Sequence, residues 1–214
     1  MLVRTWNLFH GKPSPPGRTA FLVEMIELVT QDGPDVVCLQ EIPVWALPHL
    51  EQWSGMHAST AVARRPLLPV GARAVTALHH GFLRSAFTGE GDAILTREPA
   101  QVLGVHVVGE TKLRRIAHAV EVAGITVVNF HIDGDRAQFD RVLALAPERS
   151  IVAGDANLVA PEASGFSPPL AGSIDQIFVR GLTIREGPTP WPVDRRALDG
   201  RVLSDHAPVE AVVE

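Results

Sequence analysis

Six polar clusters, each at one end of a short apolar run, constrain this sequence more than any other feature. They are Asn7, Glu41, His131, Asp155 with Asn157, Asp175, and the run Ser204-Asp205-His206. Short apolar runs are typical of buried strands, where a polar side chain is costly unless something pairs with it. Polar residues that repeatedly end strands therefore predict one rim of a sheet that carries chemistry.

The spacing of apolar residues predicts a mixed α/β fold. Helical periodicity favours helices at residues 21–29, 44–53 and 137–146. Strand-like runs cover residues 2–8, 36–39, 93–96, 102–108, 116–122, 125–130, 150–153, 174–179 and 207–213. In the stretch 55–90, residues 55–63 are interpreted as a strand and residues 70–80 as a helix, with the alternatives nearly even. Many strands without strict βα alternation favour an α/β sandwich of two sheets covered by helices.

The composition is that of a globular chain. Hydrophobic residues make up 46% of the 214 residues and charged residues 20%, which suffices for a core and differs from a disordered chain. The net charge of −5 argues against an all-over basic nucleic-acid coat but leaves room for a local basic patch. The single cysteine, Cys38, lies in an apolar run, so it is expected to be buried and no disulfide can form. We expect one cytoplasmic, monomeric domain over residues 1–214 without a membrane span.

The run Gly154-Asp155-Ala156-Asn157 places a carboxylate and an amide two residues apart. In an extended segment these two side chains point to the same side, where one orients or deprotonates water and the other faces developing charge. The same composition is also common in turns. Asn7 and Glu41, which follow apolar strands, offer oxygen atoms suited to a hard cation, although a strand-end carboxylate also occurs facing water.

Two histidines have candidate roles. His206 follows Asp205, and Asp175 at the start of another apolar strand is expected to hold its imidazole in one tautomer and favour its charge. His131 ends a third strand, where a histidine taken alone is more often structural than catalytic.

Taken together, these motifs resemble the endonuclease/exonuclease/phosphatase superfamily, which contains pancreatic deoxyribonuclease, abasic-site endonucleases, sphingomyelinases and inositol-polyphosphate phosphatases. The matching runs are Thr5-Trp6-Asn7, Leu39-Gln40-Glu41, Gly91 to Arg97, Asn129-Phe130-His131, Gly154 to Asn157, Ser173-Ile174-Asp175 and Ser204-Asp205-His206. The resemblance implies a four-layer α/β/β/α sandwich of two packed mixed β-sheets, with the site at one end. It also implies that Glu41 is the principal Mg²⁺ ligand, helped by Asn7 and Asp205, with Mn²⁺ as a substitute.

The resemblance further assigns roles in phosphoester hydrolysis. Asp155 would orient or deprotonate the attacking water, and Asn157 would position that water and stabilise the transition state. Asp175 would hold His206, and His206 and His131 would each contact a phosphoryl oxygen.

This chain also departs from the family pattern. Ala156 and Gln176 stand where the family usually has aromatic residues, which predicts walls that are looser or filled from elsewhere.

Four basic residues are candidates for holding the substrate: Lys12, Arg18, Arg114 and Arg115. The interpretation is a metal-dependent phosphodiesterase acting on DNA or RNA as a nuclease. One alternative is a phosphoesterase for a small molecule or lipid headgroup, such as a sugar phosphate, an inositol phosphate or sphingomyelin. Another is a non-catalytic domain that binds a phosphorylated ligand.

Overall fold

The computed structural model describes residues 1–17, 19–67, 87–110 and 113–214, and in these residues two β-sheets pack face to face. The larger sheet has six strands: β1 (Leu2–Asn7), β3 (Val36–Ile42), β4 (His57–Arg64), β5 (Glu90–Thr96), β11 (Ile184–Pro190) and β14 (Val209–Val213). Their spatial order is β11-β14-β1-β3-β5-β4. Strands β1 and β3 are parallel and the other neighbours are antiparallel, so the sheet is mixed.

The second sheet is also mixed. Its five strands are β6 (Gln101–Glu110), β7 (Arg114–Val122), β8 (Ile125–His131), β9 (Ser150–Asp155) and β10 (Asp175–Arg180). They lie in the order β10-β9-β8-β7-β6, with β8 and β9 parallel and the remaining pairs antiparallel. Three short strands form a small third sheet beside the loop that follows β1: β2 (Pro13–Ser14), β12 (Ala197–Leu198) and β13 (Arg201–Leu203).

Helices cover the outer face of each large sheet. Helices α1 (Leu22–Thr30) and α2 (Leu50–Ser54) share one apolar cluster with Trp6 and Leu39 of the six-stranded sheet. Helix α3 (Arg136–Leu143) packs Phe139 against the five-stranded sheet. The predicted α/β/β/α sandwich is therefore confirmed. In the described residues, no helix has the length and apolar character needed to cross a membrane.

The helix expected over residues 44–53 forms in two parts. Val44–His49 is a 3₁₀ helix and only Leu50–Ser54 is α-helical. Pro48 explains this difference, because its ring lacks an N–H and clashes with the preceding turn of an α-helix. The predicted strand at 55–63 is confirmed as β4, whereas the predicted helix at 70–80 lies outside the described residues.

Strand β11 was not predicted from the sequence. Its residues Arg185, Glu186, Gly187 and Pro188 carry no apolar alternation, and Ile184 is its one large aliphatic residue. It lies at the edge of the six-stranded sheet and pairs with β14 through two irregularities in register. Glycine and proline are tolerated at such an edge, because one side of the strand needs no ladder hydrogen bonds.

The topology brings the polar strand ends to one rim. Strands β1 and β3 are parallel and so are β8 and β9, so Asn7, Glu41, His131 and Asp155 lie at carboxyl ends that point the same way within each sheet. Antiparallel β10 contributes its first residue, Asp175, which pairs with Asp155. Along β9, Ile151 and Ala153 lie in the core between the sheets and Asp155 continues the same face, so the interior changes from apolar to charged towards this rim.

Candidate active site

Asn7 joins the two sheets at the centre of the rim. Its Nδ2 donates to Asp155 Oδ2 at 3.0 Å and to Glu41 Oε1 at 3.3 Å, while its Oδ1 accepts the Phe9 N–H at 3.0 Å. The amide nitrogen thus faces both carboxylates and the oxygen faces the following turn. In this orientation Asn7 positions Glu41 and Asp155 and does not offer an oxygen towards them, which differs from the ligand role implied by the resemblance.

A β-bulge presents Glu41 to the site. Leu39 pairs with Ala93 and Ile42 with Gly91, so β3 has one more residue than β5 across this step. Glu41 has a φ of 53°, a left-handed conformation that is rare for a residue with a side chain and common at functional sites. The buried Asn129 secures the bulge, because its Nδ2 donates to the carbonyls of Leu39 and Ala93, both at 2.9 Å.

Asp155 and Asn157 are both part of a turn and part of the site. The Asn157 N–H donates to Asp155 Oδ1 at 2.9 Å, and the Asn157 Nδ2 donates to the carbonyl of Ile132 at 2.9 Å. Gly154 is required just before them, because a Cβ there would collide with the carbonyl oxygen of Phe130 on the parallel strand β8. Asp155 is therefore buried and Asn157 beside it is exposed. This arrangement suits a carboxylate that activates water next to an amide that faces the substrate.

The structure brings Asp175 and His206 together, as the sequence predicts. His206 Nδ1 lies 2.9 Å from Asp175 Oδ2 and 3.1 Å from Oδ1, and its Nε2 lies 3.8 Å from Asp155 Oδ2. Burial lowers the pKa of His206, but the hydrogen bond and charge of Asp175, helped by Asp155 and Asp205, raise it to about 9. His206 is therefore a cation at neutral pH.

The loop before β14 fixes His206 through its backbone. The His206 N–H donates to Ser204 Oγ at 3.1 Å, and its carbonyl accepts from Trp6 Nε1 at 3.0 Å and from Arg196 Nη1 at 3.1 Å. Ser204 Oγ also donates to the Asn7 carbonyl at 2.7 Å. The Ser-Asp-His run is thus tied to strand β1 on one side and to Arg196 on the other.

His131 forms a second imidazole–carboxylate pair, with Glu90. Its Nδ1 lies 3.3 Å from Glu90 Oε1, and its Nε2 lies 3.5 Å from Asp155 Oδ2. Burial and the charge of Arg115, whose Nη1 lies 3.2 Å from Nδ1, lower the pKa of His131, but the hydrogen bond with Glu90 and the charge of Asp155 raise it to about 9. Burial alone would raise the pKa of Glu90, yet the hydrogen bond and charge of His131, helped by His10 and Arg115, lower it to about 2. Glu90 escaped the sequence interpretation, although it directly precedes the Gly91 to Arg97 motif.

Three of the four predicted substrate-binding residues fall in the described part of the chain. Lys12 is fully buried; β2 pairs with β13 beside it, and the Ser204 N–H donates to the Lys12 carbonyl, so its role in holding the substrate stays a prediction. Arg115 is paired with Glu90 at 3.0 Å and with Asp133 at 2.6 Å. Arg114 is exposed and donates to the carbonyl of Val62. Arg18 lies outside the described residues.

The two residues that depart from the family pattern, Ala156 and Gln176, are both buried and packed. Ala156 is fully buried in the apolar cluster that contains Phe130 and Phe139. Gln176 is also fully buried, and its side chain accepts the Leu170 N–H at 2.8 Å and donates to the carbonyls of Leu170 and Ser173 at 3.1 and 2.7 Å. The amide thereby fastens the loop that leads into Asp175, a function that an aromatic ring cannot perform.

Two groups of residues offer ligand atoms to a divalent cation. In the first, Asp155, Asp175 and His206 offer ligand atoms within 4.8 Å of one another, and Asp175 is already paired with His206 at 2.9 Å. Glu41 is partly exposed, and the nearest imidazole nitrogens, on His10 and His131, lie 3.7 and 3.9 Å from its oxygens. These separations are too long for hydrogen bonds. A carboxylate with that surrounding suits a hard or borderline cation.

The two packed sheets share a rim that combines carboxylates, imidazoles and amides, which are groups suited to phosphoester hydrolysis. The chain belongs to the Endonuclease/Exonuclease/phosphatase family, whose sequence model matches residues 5–206. Members of this family hydrolyse phosphoesters and generally depend on a divalent metal. A sequence search of the curated proteins finds no match.

Solved structures with the same fold span the whole chain. A functionally unknown conserved protein from Enterococcus faecalis V583 matches with a TM-score of 0.71 and 19% identity, covering 100% of this chain and 99% of that one. The Bacteroides thetaiotaomicron mannosyl-6-phosphatase Bt3783 matches with a TM-score of 0.64 and 16% identity, over 100% and 99%. D. rerio TDP2 complexed with single-strand DNA product matches with a TM-score of 0.62 and 17% identity, over 100% and 98%. These likenesses concern the fold.

Proposed function

We propose that this protein is a divalent-metal-dependent phosphodiesterase that acts on nucleic acid as a nuclease. The observation that carries the proposal is the convergence of two imidazoles on one carboxylate. His131 and His206 approach the same oxygen, Asp155 Oδ2, at 3.5 and 3.8 Å, and each is charged by a separate buried carboxylate. Two fixed cations around a candidate water-activating group suit a phosphodiester, whose negative charge is the main barrier to attack.

Each polar group then has a role in hydrolysis. Asp155 orients the attacking water and accepts its proton, while Asn157 donates its amide towards the charge that develops in the transition state. His131 and His206 donate to phosphoryl oxygens, and Glu90 and Asp175 keep them protonated. A cation at Glu41, with Asp205 on the open side of the rim, would neutralise charge on the phosphate when bound. Mg²⁺ is the metal implied by the resemblance, with Mn²⁺ as a substitute.

A nucleic-acid substrate is supported by the fold shared with TDP2, which has been crystallised with a single-strand DNA product. A second candidate function is hydrolysis of a small phosphoester such as a sugar phosphate. It is favoured by the burial of Lys12 and the pairing of Arg115, which withdraw two predicted cations from the surface, and by the net charge of −5. The fold shared with a mannosyl-6-phosphatase points the same way.

A turnover assay in the presence of Mg²⁺ separates these candidates. The substrates are supercoiled plasmid, single-stranded RNA, an aryl phosphodiester and mannose 6-phosphate. Asp155→Asn removes the central carboxylate charge, and Asp140→Asn, at an exposed carboxylate on α3, serves as the matched control. Cleavage of plasmid or RNA that Asp155→Asn abolishes and Asp140→Asn retains supports the nuclease. Turnover of mannose 6-phosphate without cleavage of plasmid or RNA favours the second candidate. If no substrate is turned over, the remaining alternative is a non-catalytic domain that binds a phosphorylated ligand.

A further inference from the structure

Strand β6 forms one end of the five-stranded sheet, and its aliphatic side chains are exposed. Among the described residues it pairs with β7 alone, so the backbone groups of its other edge have no ladder partner there. Val102, Leu103, Val105 and Val107 are between 43% and 58% exposed. Burial begins at Val108, which joins the apolar cluster under α3. Removing aliphatic surface from water is favourable, so this stretch of β6 can stabilise an association.

The two outer strands β6 and β11 differ in how their sequences protect the sheet edges. Strand β11 carries Arg185, Glu186, Pro188 and Pro190. Charged side chains and proline at an edge oppose pairing with a further strand. Strand β6 contains no lysine, arginine or proline, and its only carboxylate, Glu110, is its last residue. The edge of β11 is therefore blocked by its sequence, whereas the edge of β6 is not.

The composition of β6 makes a second copy of the same strand a suitable partner. Val105 and Val107 are two residues apart, so their side chains point to one face of the sheet. In an antiparallel pair about a two-fold axis perpendicular to the sheet, this face stays on the same side, and the valines of both copies lie next to each other. Between Gln101 and Gly109 only His106 can ionise. Two chains that each carry a net charge of −5 can therefore meet here without facing carboxylates.

We propose that β6 is the interface of a homodimer, in which the β6 strands of two copies pair antiparallel. The five-stranded sheets of the two copies then form one continuous sheet, in place of the monomer expected from the sequence. The assembly closes at two copies, because the pairing uses the β6 edge of both and β11 is blocked. A contact through one strand from each copy is smaller than a standard interface of about 1,600 Å², so we expect a Kd of roughly 1–100 µM.

The dimer leaves both candidate active sites separate. Strand β6 is antiparallel to β7, and β7 is antiparallel to β8, so β6 runs in the same direction as β8. The rim that contains His131 therefore lies towards the carboxyl end of β6. Antiparallel pairing directs the two rims to opposite ends of the joined sheet, and each site acts alone. The proposal concerns assembly and does not depend on the proposed function.

Sedimentation velocity of the full-length protein, from about 1 to 200 µM, tests the proposal around the expected Kd. The mass should rise from 23.1 kDa to twice that value and stop there. Val105→Lys places a lysine of each copy beside the two-fold axis and should raise the Kd about tenfold or more. Val193→Lys, which adds the same charge at a valine that is 56% exposed outside β6, is the matched control and should leave the Kd unchanged.

Amide hydrogen exchange at low and high protein concentration provides a second measurement, which needs no variant if Val105→Lys fails to fold. The amides of β6 should be better protected at high concentration, where the dimer predominates. A chain that stays monomeric at about 200 µM overturns the proposal. A dimer that Val105→Lys leaves intact overturns it as well, and so does a mass that continues to rise beyond two copies. Concentration-dependent protection confined to other strands also overturns it, because the interface then lies elsewhere.

Discussion

Asp175→Asn tests whether one carboxylate keeps His206 charged. The pKa of His206 rises from 6.5 to about 9; burial opposes the rise, and the hydrogen bond with Asp175 is its largest cause. At 1.36 kcal/mol per pH unit, this rise corresponds to roughly 3 kcal/mol of preference for the charged ring. Asparagine keeps the shape of the side chain but removes its charge, and burial then acts on the ring with less opposition. We expect the pKa of His206 in the variant to lie at or below 6.5.

The direction of the pH effect follows from the raised pKa. Because the pKa is higher in the folded protein than in the unfolded chain, the His206 pair stabilises the fold fully below pH 6.5, and this stabilisation is lost as the pH rises through about 9. With pKa values of 9 and 6.5, the protonated fraction at pH 8 falls from about nine tenths to about 3%. For a variant pKa of 6.5, activity that needs charged His206 should therefore fall about thirtyfold at pH 8 and less than twofold at pH 6, and a lower pKa would increase both losses.

The assay is an NMR titration of the histidine rings in metal-free protein, so that no bound cation shifts the result. Asp199→Asn, at an exposed carboxylate in the loop between β12 and β13, is the matched control and should leave His206 unchanged. A His206 pKa that stays within half a pH unit of its wild-type value in Asp175→Asn would refute the reasoning. The charge of the ring would then come from the other neighbouring carboxylates.

Three other changes have definite expected outcomes. Glu90→Gln should lower the pKa of His131 from about 9 towards 6.5 in the same titration, and an unchanged pKa would contradict the pairing. Asn129→Leu should lower the free energy of unfolding in urea by about 3 kcal/mol, because two buried carbonyls lose their donor; a loss below about 1 kcal/mol would show that water replaces it. Burial raises the pKa of the Cys38 thiol, so a thiol reagent should label Cys38 only after denaturation, and rapid labelling of native protein would contradict its buried position.

The polar strand ends were predictable from the sequence because alternation is a local property. Val3, Thr5 and Asn7 share one face of β1, and Ile151, Ala153 and Asp155 share one face of β9, so a reader of the sequence can expect polar residues where each apolar face ends. The pairing of Asp175 with His206 was also accessible, since the family motifs mark both Asp175 at the start of β10 and His206 in the loop before β14. These predictions needed only the period of a strand and the order of the motifs.

The residues that the sequence interpretation missed depend on packing between the sheets. Glu90 contacts His131 because β5 of one sheet faces β8 of the other, and no local spacing connects positions 41 residues apart in sequence. Lys12 shows the converse: a lysine among prolines and glycines suggests a solvated loop, yet the pairing of β2 with β13 encloses it. Glu41, Asn157 and Ser204 adopt left-handed φ values. Glycine is the residue from which a left-handed turn can be predicted, and none of the three is a glycine.

A neutral polar layer sets the spacing between the charged groups of the two sheets. Gln40 Nε2 donates to Thr5 Oγ1 within its own sheet at 3.0 Å and to Asn129 Oδ1 across the interface at 2.7 Å, while Asn129 binds backbone carbonyls of β3 and β5. Apolar contacts are non-directional and tolerate sliding between sheets, whereas these hydrogen bonds fix one register. Glu41 follows Gln40 in the chain and His131 lies two residues beyond Asn129. The same bonds therefore hold the candidate metal ligand at a fixed distance from the imidazole that faces it.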